Sequence, residues 1–317
     1  MTHLRRPRKA RASWFFVIAA SLSAALPVSA TATFPGRNGQ IAFGTTQGLF
    51  LERVDGSARK VLLRGRDVRS PAWSADGRRI AVEIVPRAKT ATGSDLYVVD
   101  ARTGRLSLVA RGSGAELRSA SWSPSGREIA YIRGSHRRDG ELVGAQLWVA
   151  RVDGTARRRL KNVVGPTDSE WSPDGKQIAY ASQDDDIYGI GVRGGTPRRI
   201  ADLPEDECAT AISWAPDARA LAFWDFACGT RSLCEGCFDI ARVDVGFGQI
   251  GRLDGVTFGH ASQLPVWSPD GRSILYCRER GVPEEYPDYA SAQIRPDGTG
   301  KRLRPRGRCA ESWQPRP

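Results

Sequence analysis

Histidine is scarce in this chain: three in 317 residues. Only His136 and His260 lie outside the N-terminal segment, and they stand far apart. That excludes a metal centre built on clustered imidazoles. The one methionine is Met1. Cysteine is absent before Cys208. No Gly-x-Ser-x-Gly elbow, no His-Glu-x-x-His and no phosphate loop occurs, which removes the common signatures of serine hydrolases, zinc proteases and nucleotide hydrolases. Beyond the first 32 residues no stretch has convincing helical periodicity. The one long apolar run, Trp14 to Leu26, is too short to cross a bilayer comfortably.

What precedes and follows that run marks it as a leader. Arg5, Arg6, Arg8, Lys9 and Arg11 form a basic n-region. Val28-Ser29-Ala30 and Ala30-Thr31-Ala32 both fit the small-x-small cleavage rule. Residues 1–32 are therefore expected to be a signal peptide, cleaved after Ala30 or Ala32. Residues 33–317 are expected to be one domain, exported to the periplasm, the cell envelope or the outside. The formal charge of +12 includes those five leader cations. The mature chain is then basic by roughly +7. Its basic clusters, among them Arg59-Lys60, Arg157-Arg158-Arg159, Arg198-Arg199 and Lys301-Arg302, lack interleaved aromatics. That argues against nucleic acid and for charged sheet edges.

One stretch recurs. Trp171-Ser172-Pro173-Asp174-Gly175 leads into Ile178-Ala179-Tyr180, and the same pattern starts at Trp73, Trp122, Trp214 and Trp267. Trp313 begins it a sixth time. The tryptophans are roughly 43 to 53 residues apart, a propeller-blade period. Ser-Pro-Asp-Gly is turn chemistry: proline presets φ, aspartate bonds its own backbone, and glycine takes the left-handed position. Each repeat reads as four strands. In the fourth blade, Trp171 closes strand A, Lys176 to Ser182 is strand B, Asp186 to Val192 is strand C and Pro197 to Asp202 is strand D. Phe34 to Phe43 looks like a repeat without its tryptophan turn, and Trp313-Gln314-Pro315 like a repeat without the rest. Joined, they complete one blade. The prediction is an all-β, six-bladed β-propeller of four-stranded blades, closed by a C-terminal strand A beside N-terminal strands B–D, and a monomer.

These repeats resemble the Trp-Ser-Pro-Asp-Gly β-propeller repeats of the TolB family, over nearly all of residues 34 to 317. The resemblance implies the propeller fold. This chain has no room for the N-terminal α/β domain that TolB carries, so a role in an envelope complex is not implied with it. Similar propellers precede the hydrolase domain of prolyl oligopeptidases, and none is expected here.

Strand order puts the A–B and C–D turns on one side and the B–C and D–A loops on the other. The second set is longer and varied, as binding loops are. The candidate binding residues on it are His136, Arg137, Arg138, Asp184, Asp185, Asp186, Glu284 and Tyr286. The acidic runs would suit a hard cation such as Ca²⁺, but they lack a spaced ligand loop, so a solvated rim and no cofactor or metal is the primary expectation. Six cysteines in an exported chain favour disulfides. The propeller arrangement puts Cys208 on the same face as Cys228, Cys234 and Cys237. Cys208 is therefore expected to bond one of these, with Cys228 the first choice and Cys234 and Cys237 then left to pair. The arrangement also brings Cys277 within reach of Cys309. A redox or zinc role is the alternative for Cys234-x-x-Cys237. The leading functional expectation is a non-enzymatic, exported propeller that binds a protein or peptide through the loop face. The alternatives are a propeller hydrolase or lyase acting on a glycan or small molecule, and a structural scaffold in an envelope assembly.

Overall fold

A computed structural model describes residues 33–86, 93–137, 142–204, 207–227, 238–254, 262–280, 288–304, 309 and 311–316. It contains six antiparallel sheets of four strands each and no helix among the described residues. The inner strands A follow one another round a ring. Blade 2, for example, runs Asp67–Trp73, Arg79–Val85, Asp95–Asp100 and Leu106–Ala110 from the inside out.

Blade 4 shows why the repeat folds as it does. Its strands are Pro166–Trp171, Gln177–Ser182, Ile187–Gly191 and Arg198–Ala201. Strand B starts one residue later than the sequence suggests, because the Lys176 amide donates to Asp174 Oδ1 and so belongs to the turn. The Ser172 hydroxyl accepts from the Gln177 amide and donates to Asp174. Gly175 sits at φ 74°, and its amide donates to the Ser172 carbonyl. Burial opposes ionisation of Asp174, but the Ser172 hydroxyl and the amide and ammonium of Lys176 together outweigh it and hold the carboxyl below its usual range.

Each tryptophan fills the seam between its own blade and the one before. Trp171 packs with Ala130, Ile132 and Leu147 of blade 3. Trp214 packs with Ala179 and Ile187 of blade 4. Trp313 joins Val266 and Leu275 of blade 6 to Ile41 of blade 1. All six are nearly fully buried, and each contributes on the order of 2–3 kcal/mol by removing apolar surface from water. Backbone bonds reinforce the seams. The amides of Trp73, Trp171 and Trp267 donate to the hydroxyls of Ser312, Ser121 and Ser213, which stand just before the tryptophan of the preceding blade.

The composite blade forms as expected. Ser312–Arg316 pairs with Arg37–Thr45, setting Trp313 opposite Ile41 and Ser312 opposite Ala42. The basic clusters fall on or beside outermost strands such as Lys60–Arg64 and Arg198–Ala201, where charge discourages edge-to-edge pairing. The segment before the first strand runs inward. The Thr33 hydroxyl donates to the Trp267 carbonyl of blade 6, and Phe34 is buried in the apolar cluster of blades 2 and 3 with Ala72, Ala120 and Trp122. Thr33 and Phe34 together thus link blade 6 to blades 2 and 3 beside the tryptophan turns.

Candidate functional site

The tryptophan turns and Phe34 occupy the turn side with packing repeated from blade to blade, which leaves the loop side as the candidate site. Blade 4 contributes a short B–C turn there. Ser182, at its start, donates its hydroxyl to the Val164 carbonyl. Asp185, at φ 75°, takes the left-handed position. The three aspartates point to different partners. Asp184 Oδ2 accepts from the Tyr188 hydroxyl at 2.9 Å. Asp186 Oδ1 accepts from the Leu203 amide at 3.0 Å, while its Oδ2 lies 3.3 Å from Arg199. Tyr188 stacks on Tyr180 at 5.5 Å. Burial, reinforced by the charge of Asp184, pushes the Tyr180 hydroxyl up to about 12, and burial together with Asp184 raises Tyr188 as well. This run therefore fastens strand D and a tyrosine pair. Among the described residues no group of three or more His, Cys, Asp or Glu side chains is arranged to hold a metal ion.

The neighbouring hairpin of blade 3 approaches this turn. His136 lies at the end of strand B, in register with Leu142, and the Leu142 carbonyl accepts from Gln183 Nε2 of blade 4 at 3.1 Å. Arg137 follows, exposed. The loop side thus brings the hairpin base carrying His136 and Arg137 beside the turn carrying Asp184 to Asp186. Arg138, Glu284 and Tyr286 lie outside the described residues, as does the side chain of His136. So do residues 1–32.

Cys277 and Cys309 are joined by a disulfide, the pairing the propeller arrangement brings within reach, linking strand B of blade 6 to the entry of the closing strand. Cys208 is disulfide-bonded too. Cys228, Cys234 and Cys237 lie outside the described residues.

Sequence reasoning missed a belt of buried carboxylates around the ring. The inner strands of blades 2, 3, 5 and 6 share an irregularity: pairing slips after Arg69, Arg118, Thr210 and Gln263, and the next residue (Ser70, Ser119, Ala211 or Leu264) takes φ of 46°, 55°, 49° or 55°. Such a slip frees backbone amides from the ladder. In blades 2, 3 and 5 carboxylates of the preceding blade collect them. Asp168 Oδ2 accepts from the Ile212 amide at 2.8 Å. Glu311 accepts from the amides of Gly44 and Ser70, and Glu83 from the amide of Ser119. Glu170 takes the amide of Trp214, in the place of the serines of other seams. Burial pushes Glu311 up to about 8, against the two amides. Burial raises Glu83 and Glu170 well above the usual carboxylate range, and the nearby acids Glu116 and Asp168 add to it. The signal in the sequence is an acid among small or apolar residues one to three places before the repeat tryptophan, as at Asp168, Glu170 and Glu311.

The architecture defines a six-bladed β-propeller whose turn side is structural and whose loop side is individual to each blade. Residues 39–292 match the TolB β-propeller domain, and the chain belongs to that family. No curated protein matches the sequence. Among solved structures the chain is similar to TolB from Acinetobacter baumannii, with 18% identity, a TM-score of 0.66, and coverage of 90% of this chain and 68% of that one. It is similar to a chain of the nidogen–laminin complex at 13% identity and a TM-score of 0.60, covering 83% and 91%. It is also similar to an oligogalacturonate lyase from Vibrio parahaemolyticus at 12% identity and a TM-score of 0.58, covering 87% and 78%. At such identities the likeness concerns the fold.

Proposed function

We propose that this chain is an exported, non-enzymatic β-propeller that binds a protein or peptide through its B–C and D–A loop face. The observation that carries the reading is the division of labour between the two sides. The turn side is held by repeated hydrogen bonds and lined by Phe34. On the loop side, the blade 3 hairpin that carries His136 and Arg137 is bonded through the Leu142 carbonyl to Gln183, in the blade 4 turn that carries Asp184 to Asp186. We take these residues as a rim of both charge signs. Rims of mixed charge select partners and steer their approach. The nidogen–laminin complex among the similar structures is a protein–protein assembly built with this fold. The Cys277–Cys309 disulfide supports an oxidising compartment, in keeping with the leader.

Affinity capture from the envelope and secreted fractions tests this. The exported chain is expected to retain a specific protein, which the loop-side double variant Arg137→Glu/Asp184→Lys loses and the turn-side variant Arg193→Glu keeps. Capture that survives the loop-side change and fails with Arg193→Glu would place the interaction on the wrong face. Retention and chemical turnover of a glycan would instead make the protein a propeller enzyme.

A further inference from the structure

The loop side carries many arginines, and most are occupied. Arg69 is paired with Asp67 at 3.2 Å and Arg111 with Asp95 at 3.7 Å. Arg118 donates to the Thr167 carbonyl and Arg133 to the Gly112 carbonyl. Arg199 meets Asp186 and Asp202, and Arg252 meets Glu207 and Asp225. Arg64 and Arg66 differ. Both are exposed, and among the described residues no carboxylate lies within ion-pair distance of either.

Their setting is a groove of about 380 Å³ at the junction of blades 1 and 2. Ile84, Val85 and Pro86, at the loop end of strand B of blade 2, supply apolar lining, and Tyr97 of strand C stands with them. Asp95, the one acid lining the groove, is engaged by Arg111 and by the Gly112 amide at 2.9 Å. The corner bearing the two arginines is rigid. Only Gly65 and Arg66 separate strand D of blade 1, ending at Arg64, from strand A of blade 2, starting at Asp67. Gly65 takes φ 66°, and its amide donates to the Gln47 carbonyl at 2.7 Å. Arg64 is in register with Gly48, where a Cβ would meet the Leu63 carbonyl at 1.9 Å. So short a corner leaves little backbone to order when a ligand binds.

We infer that this groove binds an acidic polypeptide segment, with Arg64 and Arg66 each taking a carboxylate from it. A guanidinium offers a fixed fork of donors that matches a carboxylate. The apolar lining accommodates the stems of Glu or Asp side chains and weakens competition from water. Charge complementarity selects this occupant over a neutral one, and the single tyrosine offers no run of stacking faces for a nucleic acid. The inference rests on the loop-face reading above and names the chemistry of the partner.

Fluorescence anisotropy with a labelled hexaglutamate peptide tests it, using the exported chain at low and at physiological salt. Binding is expected, and hexaglutamine is expected not to bind. Arg64→Gln and Arg66→Gln should each weaken hexaglutamate by roughly fivefold and the double variant by roughly thirtyfold. Arg198→Gln, an exposed arginine on the outer strand of blade 4, should change it less than about twofold. Unchanged melting temperatures would confirm that these exposed substitutions leave the fold intact. Absence of hexaglutamate binding would overturn the inference, as would equal losses at Arg198, which would mean general charge attraction. A single-stranded DNA 12-mer that binds more tightly and depends on the same two arginines would also overturn it. If hexaglutamate fails while the loop-side capture succeeds, only the groove is wrong; if both fail, the loop-face reading falls with it.

Discussion

On the turn side, blades 4 and 6 repeat the same core of hydrogen bonds. Ser172 and Ser268 each donate to the aspartate two residues on and accept from the amide five residues on, and Gly175 and Gly271 take φ of 74° and 70°. On the loop side, blade 4 has a short turn bonded through Asp184 and Asp186, whereas blade 6 has a disulfide to the entry of the closing strand. The turn side answers to one constraint, the need to send each chain into the next strand at a fixed seam. The loop side has no such shared constraint, so each blade diverges there. Blade 5 sharpens the contrast from within the turn side. It keeps Trp214 and Pro216 but has Ala215 for serine and Ala218 for glycine, and Ala218 still adopts φ 59°. The seam imposes the turn even where the residues no longer favour it.

If the contrast is right, turn-side changes act on stability and loop-side changes mainly on binding. The largest effect is expected from Trp171→Ala, which empties the seam between blades 3 and 4 and should cost about 3–5 kcal/mol in urea unfolding. A loss below about 1 kcal/mol would show that the seams are not the main source of cohesion. Replacing Cys277 and Cys309 together by alanine removes a loop-side cross-link spanning 32 residues and should cost about 2–4 kcal/mol. It is one of the loop side's contributions to stability, with the aspartate bonds of blade 4.

Glu311→Gln tests the buried belt. The folded carboxyl titrates near 8, against about 4.3 in the unfolded chain. Its contribution is therefore fully present below about pH 4.3 and is lost as pH rises through 8. The amide cannot ionise and keeps an oxygen for the Gly44 and Ser70 amides. The variant should be the more stable protein at pH 9 by about 1–3 kcal/mol, an advantage that vanishes near pH 4. Parallel unfolding curves for the two proteins across that range would show that Glu311 ionises freely. The smallest effect is expected from Ala218→Gly. Relief of the left-handed strain, less the added freedom of the unfolded chain, should stabilise by about 0.5–1 kcal/mol. A destabilising result would mean that the alanine methyl packs in the groove it lines with Phe247 and Pro296.

The turns were legible because their bonds are local. Serine, aspartate and glycine at fixed offsets state both partners of each interaction within six residues. The count of blades and the joining of Trp313 to Ile41 followed from the same arithmetic. The Cys277–Cys309 bond was readable once the blades were numbered. Asp184 to Asp186 were harder, since three adjacent acids say nothing about where each side chain points. Their partners Tyr188, Arg199 and Leu203 are near in sequence, yet only the strand geometry turns them into a structural knot. The carboxylate belt was hidden for a different reason. Asp168 meets Ile212 and Glu311 meets Ser70 across a seam, at backbone amides that are available only because the inner strands slip register. The groove of Arg64 and Arg66 likewise takes its lining from another blade.

The closing strand has a consequence for timing. Gly44 and Glu311, bonded in the native ring, are 267 residues apart, so bringing them together costs about 5 kcal/mol of chain entropy before any contact is made. Synthesis delivers the chain from its N-terminal end, and Arg37–Thr45 must wait with a bare edge until Ser312–Arg316 arrives. Until then the assembly is an open arc, vulnerable to wrong partners. Ser312–Arg316 therefore acts as a clasp: a product truncated before Ser312 would retain most of its blades but could not lock the circle.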